Sequence, residues 1–437
     1  MAHIRSFSAI HYNKAKFADL SSLIAPPFDV LDQAQKDQLQ AKHPNNIVNV
    51  DLPHIPPKAA GPAGVYEKSA MTLRAWLDAG ILVREKRTAF YPYMQSYNHA
   101  GRFVHRRGFF ALVELSPFGQ GQVVPHEKTY KGAIEDRFAL MRATSCQLSP
   151  IFGLFNDKGN EVTRLLYANL SRPDFSGELD GVKHALWKLS DPELENRVSD
   201  MMSAHPVYIA DGHHRYTTAL AYQQEMIKAN GGKPLPPGHP ANYCMFVLIS
   251  MNDDGLLIWP THRLIGGMES FDAPAFAKAV APHFTVTPAT VGPDKIEEFA
   301  DHVLPNQGLH TFGLYDGKAK TLYQLKLNDP DLLRRYEPNQ SDAWRNLDVA
   351  ILQRYLLDEI LQPKFAGGKE LTKAYVSYAG QVVPNTDGVK NQVALILQPT
   401  PIHALEELGR HNEVMPQKST YFYPKLATGL LINPLGV

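Results

Sequence analysis

The feature that most constrains this fold is the run Asp211-Gly212-His213-His214-Arg215, set between a short apolar segment, Pro206 to Ala210, and a helical pattern. Val207-Tyr208-Ile209 is β-branched and aromatic, as a buried strand should be, while Tyr216, Ala219, Leu220, Gln223, Met226 and Ile227 recur near helical period. Gly231 and Gly232 stop the helix. A strand-to-helix junction leaves first-turn N–H groups without intrahelical partners at the positive end of the helix dipole, which favours an anion. Arg215 adds a planar fork that fits phosphate. A plainer reading stands beside this one: Asp211 caps the helix, Gly212 relieves a turn, and His213 and His214 satisfy nearby carbonyls. An acid, two imidazoles and a guanidinium in one junction are more polarity than a turn requires, and burying them is costly.

The 437 residues, 44% of them hydrophobic, suffice for one elaborate or two ordinary domains. Lys plus Arg equals Asp plus Glu at 44 each, so no global field draws the chain to nucleic acid or anionic lipid. Cys146 and Cys244 alone cannot build a disulfide scaffold or a thiolate-rich metal site, which points to a reducing compartment. The N-terminus lacks the apolar core of a secretion signal, and no stretch of about 18 apolar residues exists to span a membrane. A cytoplasmic protein is expected, with a small-molecule substrate and an oligomeric state the sequence does not fix.

Strand-like and helix-like segments alternate without a repeat, so the expected class is α/β, mixed α+β. Ile4 to Ile10 reads as a strand, Glu67 to Ala79 as an amphipathic helix, and Ala89 to Met94 with Phe103 to Leu115 as a hairpin. The pattern restarts near Gly255 with a helix at Ala273 to Ala281, a hairpin of Thr311 to Tyr315 and Thr321 to Leu327, and a helix from Leu347 to Leu361. This gives an N-terminal part, 1–254, carrying the corner, and a C-terminal α/β part, 255–437, whose tail returns to it.

Two further segments are polar where a plain loop need not be. One is Pro125-His126-Glu127-Lys128-Thr129. The other is the tail Met415 to Lys425, where Lys418 and Lys425 can neutralise phosphate, Ser419 and Thr420 can donate hydroxyl hydrogen bonds, and Tyr421 can stack on a base. An edge strand from Tyr421 to Tyr423 accounts for the same residues equally well. No His-x-x-x-His or His-x-His pattern accompanies the histidines, which disfavours a dedicated zinc site.

Together, Ile24-Ala25-Pro26-Pro27-Phe28-Asp29-Val30, His126 to Thr129, Ala210 to Arg215, Pro260-Thr261-His262-Arg263 and the tail resemble the bacterial and archaeal domain of unknown function 1015 family over essentially the whole chain. Phe28 stands where that family usually has Tyr. The corner is also similar to that of free-serine kinases with the ParB/sulfiredoxin-like fold, where this junction holds phosphates. The resemblance implies such a core, elaborated by insertions. Sulfiredoxin chemistry is excluded at this motif, because His213 replaces its cysteine. DNA binding, common among ParB relatives, is disfavoured by the charge balance.

The expected function is a small-molecule phosphotransferase moving phosphate from ATP, ADP or pyrophosphate to a hydroxyl such as that of free serine. Gly212, His213, His214 and Arg215 would cradle donor phosphates, and Lys418, Ser419, Thr420 and Lys425 would reach the transferred group. Mg2+ would bridge phosphate oxygens, held partly by Asp211. Glu127 and Asp29 are the candidate bases for the acceptor hydroxyl, His214 is a candidate proton shuttle, and His126, Thr129, His262, Arg263 and Tyr421 are candidate substrate contacts. A nucleotide-sensing module without turnover and a nucleotide or phosphomonoester hydrolase would share the same pocket.

Overall fold

The computed structural model describes residues 2–55, 57, 59–120, 122–129 and 131–436. The chain is mixed α/β, as its segment pattern predicts, and divides into two compact units: residues 1–256 with 424–437, and residues 257–423.

In the first unit, a mixed sheet runs in the order Val123–Val124, Val207–Asp211, Ile151–Phe155, Tyr243–Ser250, Arg102–Glu114, Tyr91–His99, Val182–Leu186, Phe175–Leu179, with Ile4–Arg5 alongside Arg102–Glu114. Val207–Asp211 is parallel to Val123–Val124 and antiparallel to Ile151–Phe155, which is parallel to Tyr243–Ser250. The long hairpin Tyr91–His99 and Arg102–Glu114 turns at Ala100-Gly101, both at positive φ (48° and 75°), the backbone that suits a two-residue hairpin loop.

The segment read as one strand from Ile4 to Ile10 is two. Ile4–Arg5 pairs with the long hairpin, whereas Ile10–Tyr12 pairs with Leu82–Arg84. Between them Phe7 bridges to Ala89 and the Ser8 hydroxyl donates to Glu85 O, so the chain changes partners over the four residues from Ser6 to Ala9.

Helix His213–Ala229 packs on helix Lys131–Thr144 and turns Tyr216, Ala219 and Tyr222 into a core shared with Val207, Ile209, Phe155 and Phe246. Val207 and Ile209 are wholly buried. At about 1.5–3 kcal/mol for each such side chain, they anchor the strand that leads into the corner. Cys146 and Cys244 are buried free thiols.

The second unit holds an antiparallel sheet ordered Phe284–Pro288, Thr321–Leu327, Thr311–Asp316, Val393–Ile396, His262–Gly266, Thr372–Val376. Ala273–Val280 is helical, and the expected Leu347–Leu361 helix is interrupted: Asp348–Ile351 is α-helical, followed by wider π turns over Leu352–Leu361. Tyr421–Tyr423 is a strand paired with Leu257–Trp259, and Trp259 stacks on Tyr423 with ring centroids 3.8 Å apart.

Candidate functional site

The corner is built by a break in strand register. Tyr208 pairs with Leu154 and Ile209 with Gly153, but Asp211 then pairs with Phe152, leaving Ala210 as an extra residue. Such a bulge re-aims the next side chain. Gly212 follows at φ 99°, so the N-cap position belongs to a residue without a side chain and not to Asp211. Instead its Oδ2 accepts from the Arg215 guanidinium at 3.0 Å, and its Oδ1 lies 3.4 Å from Lys425 Nζ. The other arm of Arg215 donates to Pro150 O.

Arg215 is therefore pinned inward at both ends of its fork. Its guanidinium folds back over Gly212, where a Cβ would come within 3.1 Å of Cζ and Nε. Glycine is needed for that close approach as well as for the positive φ. The first intrahelical bond runs from Tyr216 N to Gly212 O, which places the amides before Tyr216 at the positive end of the helix.

The 125–129 loop is clamped to this helix start by histidines. The His126 backbone N–H donates to His213 Nε2 at 3.1 Å, and His126 Nδ1 donates to Ile209 O at 2.6 Å. The two rings meet edge to face, centroids 4.6 Å apart. Burial drives the pKa of each ring down, and in His213 the neighbouring His126 adds to the effect. With Nε2 accepting, neutral His213 carries its proton on Nδ1. Both rings, expected at phosphate and substrate, thus serve first as neutral latches. Glu127 Oε1 lies 3.9 Å from His126 Nε2, its side chain partly exposed; Thr129 and His214 are half-buried.

Asp29 lies on the short turn Phe28–Val30 and is exposed, while Phe28 packs its ring against the Arg137 guanidinium, 4.0 Å from Cζ to ring centroid. Arg137 opens a buried ion network that sequence reasoning missed. Its Nε donates to Asp136 Oδ2 at 2.7 Å and its NH1 to Asp51 O at 2.6 Å, and Asp136 Oδ1 faces His54 Nε2 at 2.6 Å and Tyr66 OH at 2.7 Å. No local pattern announces these partners. Sequence reasoning missed Arg106 as well, which lies opposite Gln95 in the long hairpin and whose guanidinium donates to Gln95 Oε1 and Pro424 O.

In the second unit, His262 is fully buried, and its Nδ1 accepts from Leu397 N at 3.2 Å. Arg263 donates to Thr261 O and, at 3.4 Å, to Gln417 O. Ser419 is buried and donates to Pro416 O, while its own carbonyl accepts from Thr400. Lys418 is exposed at φ 57°, and Thr420 and Tyr421 are half-buried.

Asp211, expected as a partial magnesium ligand, does not fit that role as the corner stands. Each carboxylate oxygen already faces a cation, and among the described residues no three His, Cys, Asp or Glu side chains group closely enough to hold a metal ion. A bound ion would have to displace Lys425 or Arg215 from Asp211.

Residues 4–350 match the family described as protein of unknown function (DUF1015). No curated protein matches the chain. Among solved structures it is similar to a free serine kinase mutant in complex with AMP (TM-score 0.34, 12% identity, 71% of this chain and 89% of that one). It is similar also to a conserved hypothetical protein from Pyrococcus furiosus (0.31, 13%, 71% and 92%) and to SbnI with a C-terminal truncation from Staphylococcus aureus (0.34, 11%, 75% and 87%). At such TM-scores none of these likenesses bears on the chemistry of this chain. No described helix is long and apolar enough to cross a membrane.

Proposed function

The chain belongs to the DUF1015 family of proteins of unknown function, and from that premise we propose that it binds phosphate-bearing small molecules at the Asp211–Arg215 corner and transfers phosphate to a hydroxyl such as that of free serine. The observation that carries the reading is the setting of the corner: a helix start whose N-cap is Gly212 at φ 99°, with Lys425 held 3.4 Å from Asp211. Phosphoryl transfer asks chiefly for fixed donors and neutralising charge, and this setting supplies both. In this reading the first-turn amides and Lys425 face donor phosphates, and Arg215 holds their geometry from behind. Nucleotides or pyrophosphate are the donors this arrangement suits.

A base for the acceptor must come from elsewhere, because Asp211 is ion-paired and His126 and His213 are neutral latches. Glu127 is the first candidate and Asp29 the second. That engagement of the corner's own acid and imidazoles also favours a second reading, ligand binding without turnover.

The test is to incubate the protein with magnesium, ATP, ADP or pyrophosphate and a pool of hydroxylated metabolites including serine, and to follow phosphorus by NMR. A new phosphate monoester supports the transferase. Donor binding without any new resonance selects the second reading.

A further inference from the structure

We propose that Asp51 and Ser149 are positioning residues of the corner, acting on Arg215 through the Ser149–Pro150 peptide. Asp51 lies nowhere near Arg215 in sequence and belongs to the short helix Val48–Asp51. Its Oδ2 accepts from the Ser149 hydroxyl at 3.0 Å, and the next residue, Pro150, offers the carbonyl that receives the inner arm of Arg215. Asp51, Ser149, Arg137, Arg215 and Thr218 line one cavity of about 40 Å³.

Arg215 has two inward restraints, and they differ in kind. Asp211 holds it from within the corner, four residues earlier at the end of strand Val207–Asp211. Pro150 holds it from the residue just before strand Ile151–Phe155, and that carbonyl stays in place only as firmly as the residue before it. Ser149 is fixed from two sides, by Asp51 Oδ2 and by the Thr428 hydroxyl at 3.2 Å. Asp51 is in turn held by Arg137, whose NH1 is 3.5 Å from Oδ1 and bonds its carbonyl. Burial pushes the Asp51 carboxyl up, while the guanidiniums of Arg137 and then Arg215 pull it back, so Arg215 lies within its electrostatic reach.

The inner network therefore sets the depth at which the Arg215 guanidinium sits behind Gly212. Loosening it would let the guanidinium shift and the first-turn amides re-orient, without removing any group that faces a ligand. A contact chain of this kind couples through a discrete arrangement of side chains rather than through distance alone.

The inference rests on the corner being the phosphate site, and a double-mutant cycle separates the two. Pyrophosphate is titrated calorimetrically into the full chain and into Ser149→Ala, Asp51→Asn, Arg215→Lys and the Ser149→Ala/Arg215→Lys pair. Ser149→Ala leaves every charge in place, so it keeps the test open should Asp51→Asn fold poorly. Each of the first two variants is expected to weaken binding by roughly three- to ten-fold, and Ser149→Ala is expected to add nothing once Arg215 is lysine. Additive losses, or unchanged affinity in folded Ser149→Ala, would overturn the positioning role while leaving the corner intact. Wild-type affinity in Arg215→Lys would likewise overturn it by removing the brace, whereas no pyrophosphate binding by the wild type would overturn the corner itself.

Discussion

The His126 backbone N–H donates to Nε2 of His213 across 3.1 Å, joining a loop to a helix start 87 residues further along the chain. Because His213 is the acceptor, His213→Ala leaves a buried N–H without its partner, at a cost of about 1–3 kcal/mol. We expect a lowered melting temperature and faster limited proteolysis within residues 125–129. A melting temperature equal to that of the wild type would show that the latch holds nothing.

Acid should destabilise the protein below about pH 6.5. Burial pushes His184 and His262 down to about 3, lowers His126, and holds His213 well below its ordinary value of 6.5. In that window the unfolded chain binds protons that the folded chain refuses, so unfolding free energy rises with pH and falls on acidification. Each such histidine contributes a slope of about 1.4 kcal/mol per pH unit. Denaturant unfolding at pH 7 and pH 5 measures the slope. His184→Gln should reduce it by about one proton, and an identical slope in that variant would contradict the assignment.

Gly212→Ala should damage the corner more than its size suggests. Its φ of 99° is strained for alanine, at about 1–3 kcal/mol, and the new methyl would meet the Arg215 guanidinium at 3.1 Å. Phosphate-ligand affinity should fall along with stability. An alanine variant that binds as the wild type does would mean that the guanidinium need not fold over this residue.

The strand into the corner and the helix beyond it are legible in the sequence because period and breakers are local: Val207–Asp211 and His213–Ala229 follow from β-branching, apolar spacing and two glycines. The hairpins around residues 91–114 and 311–327 are legible for the same reason. Partners far apart in the chain are not. His54 and Asp136 are 82 residues apart and Gln95 and Lys425 are 330 apart, and no periodicity encodes those meetings. The same limit explains Arg215: its residue type suggested a clamp open to phosphate, whereas Pro150 and Asp211 turn it into a brace.

If phosphate is transferred, Glu127→Gln should preserve donor binding while lowering turnover by roughly 10² to 10⁴, the usual worth of a general base. Asp29→Asn should leave turnover nearer the wild type, since Asp29 is exposed on its turn. The reverse order of effects would exchange the two roles. Full turnover in both would remove carboxylate assistance from either loop.

The central claim is that the corner binds phosphate, and pyrophosphate calorimetry on the wild type and Lys425→Gln tests it most directly. Removing the cation 3.4 Å from Asp211 should weaken binding by roughly ten-fold or more, the usual worth of a charge-assisted bond, while the protein stays folded. Equal affinity in the two proteins, or no binding by the wild type, would contradict it.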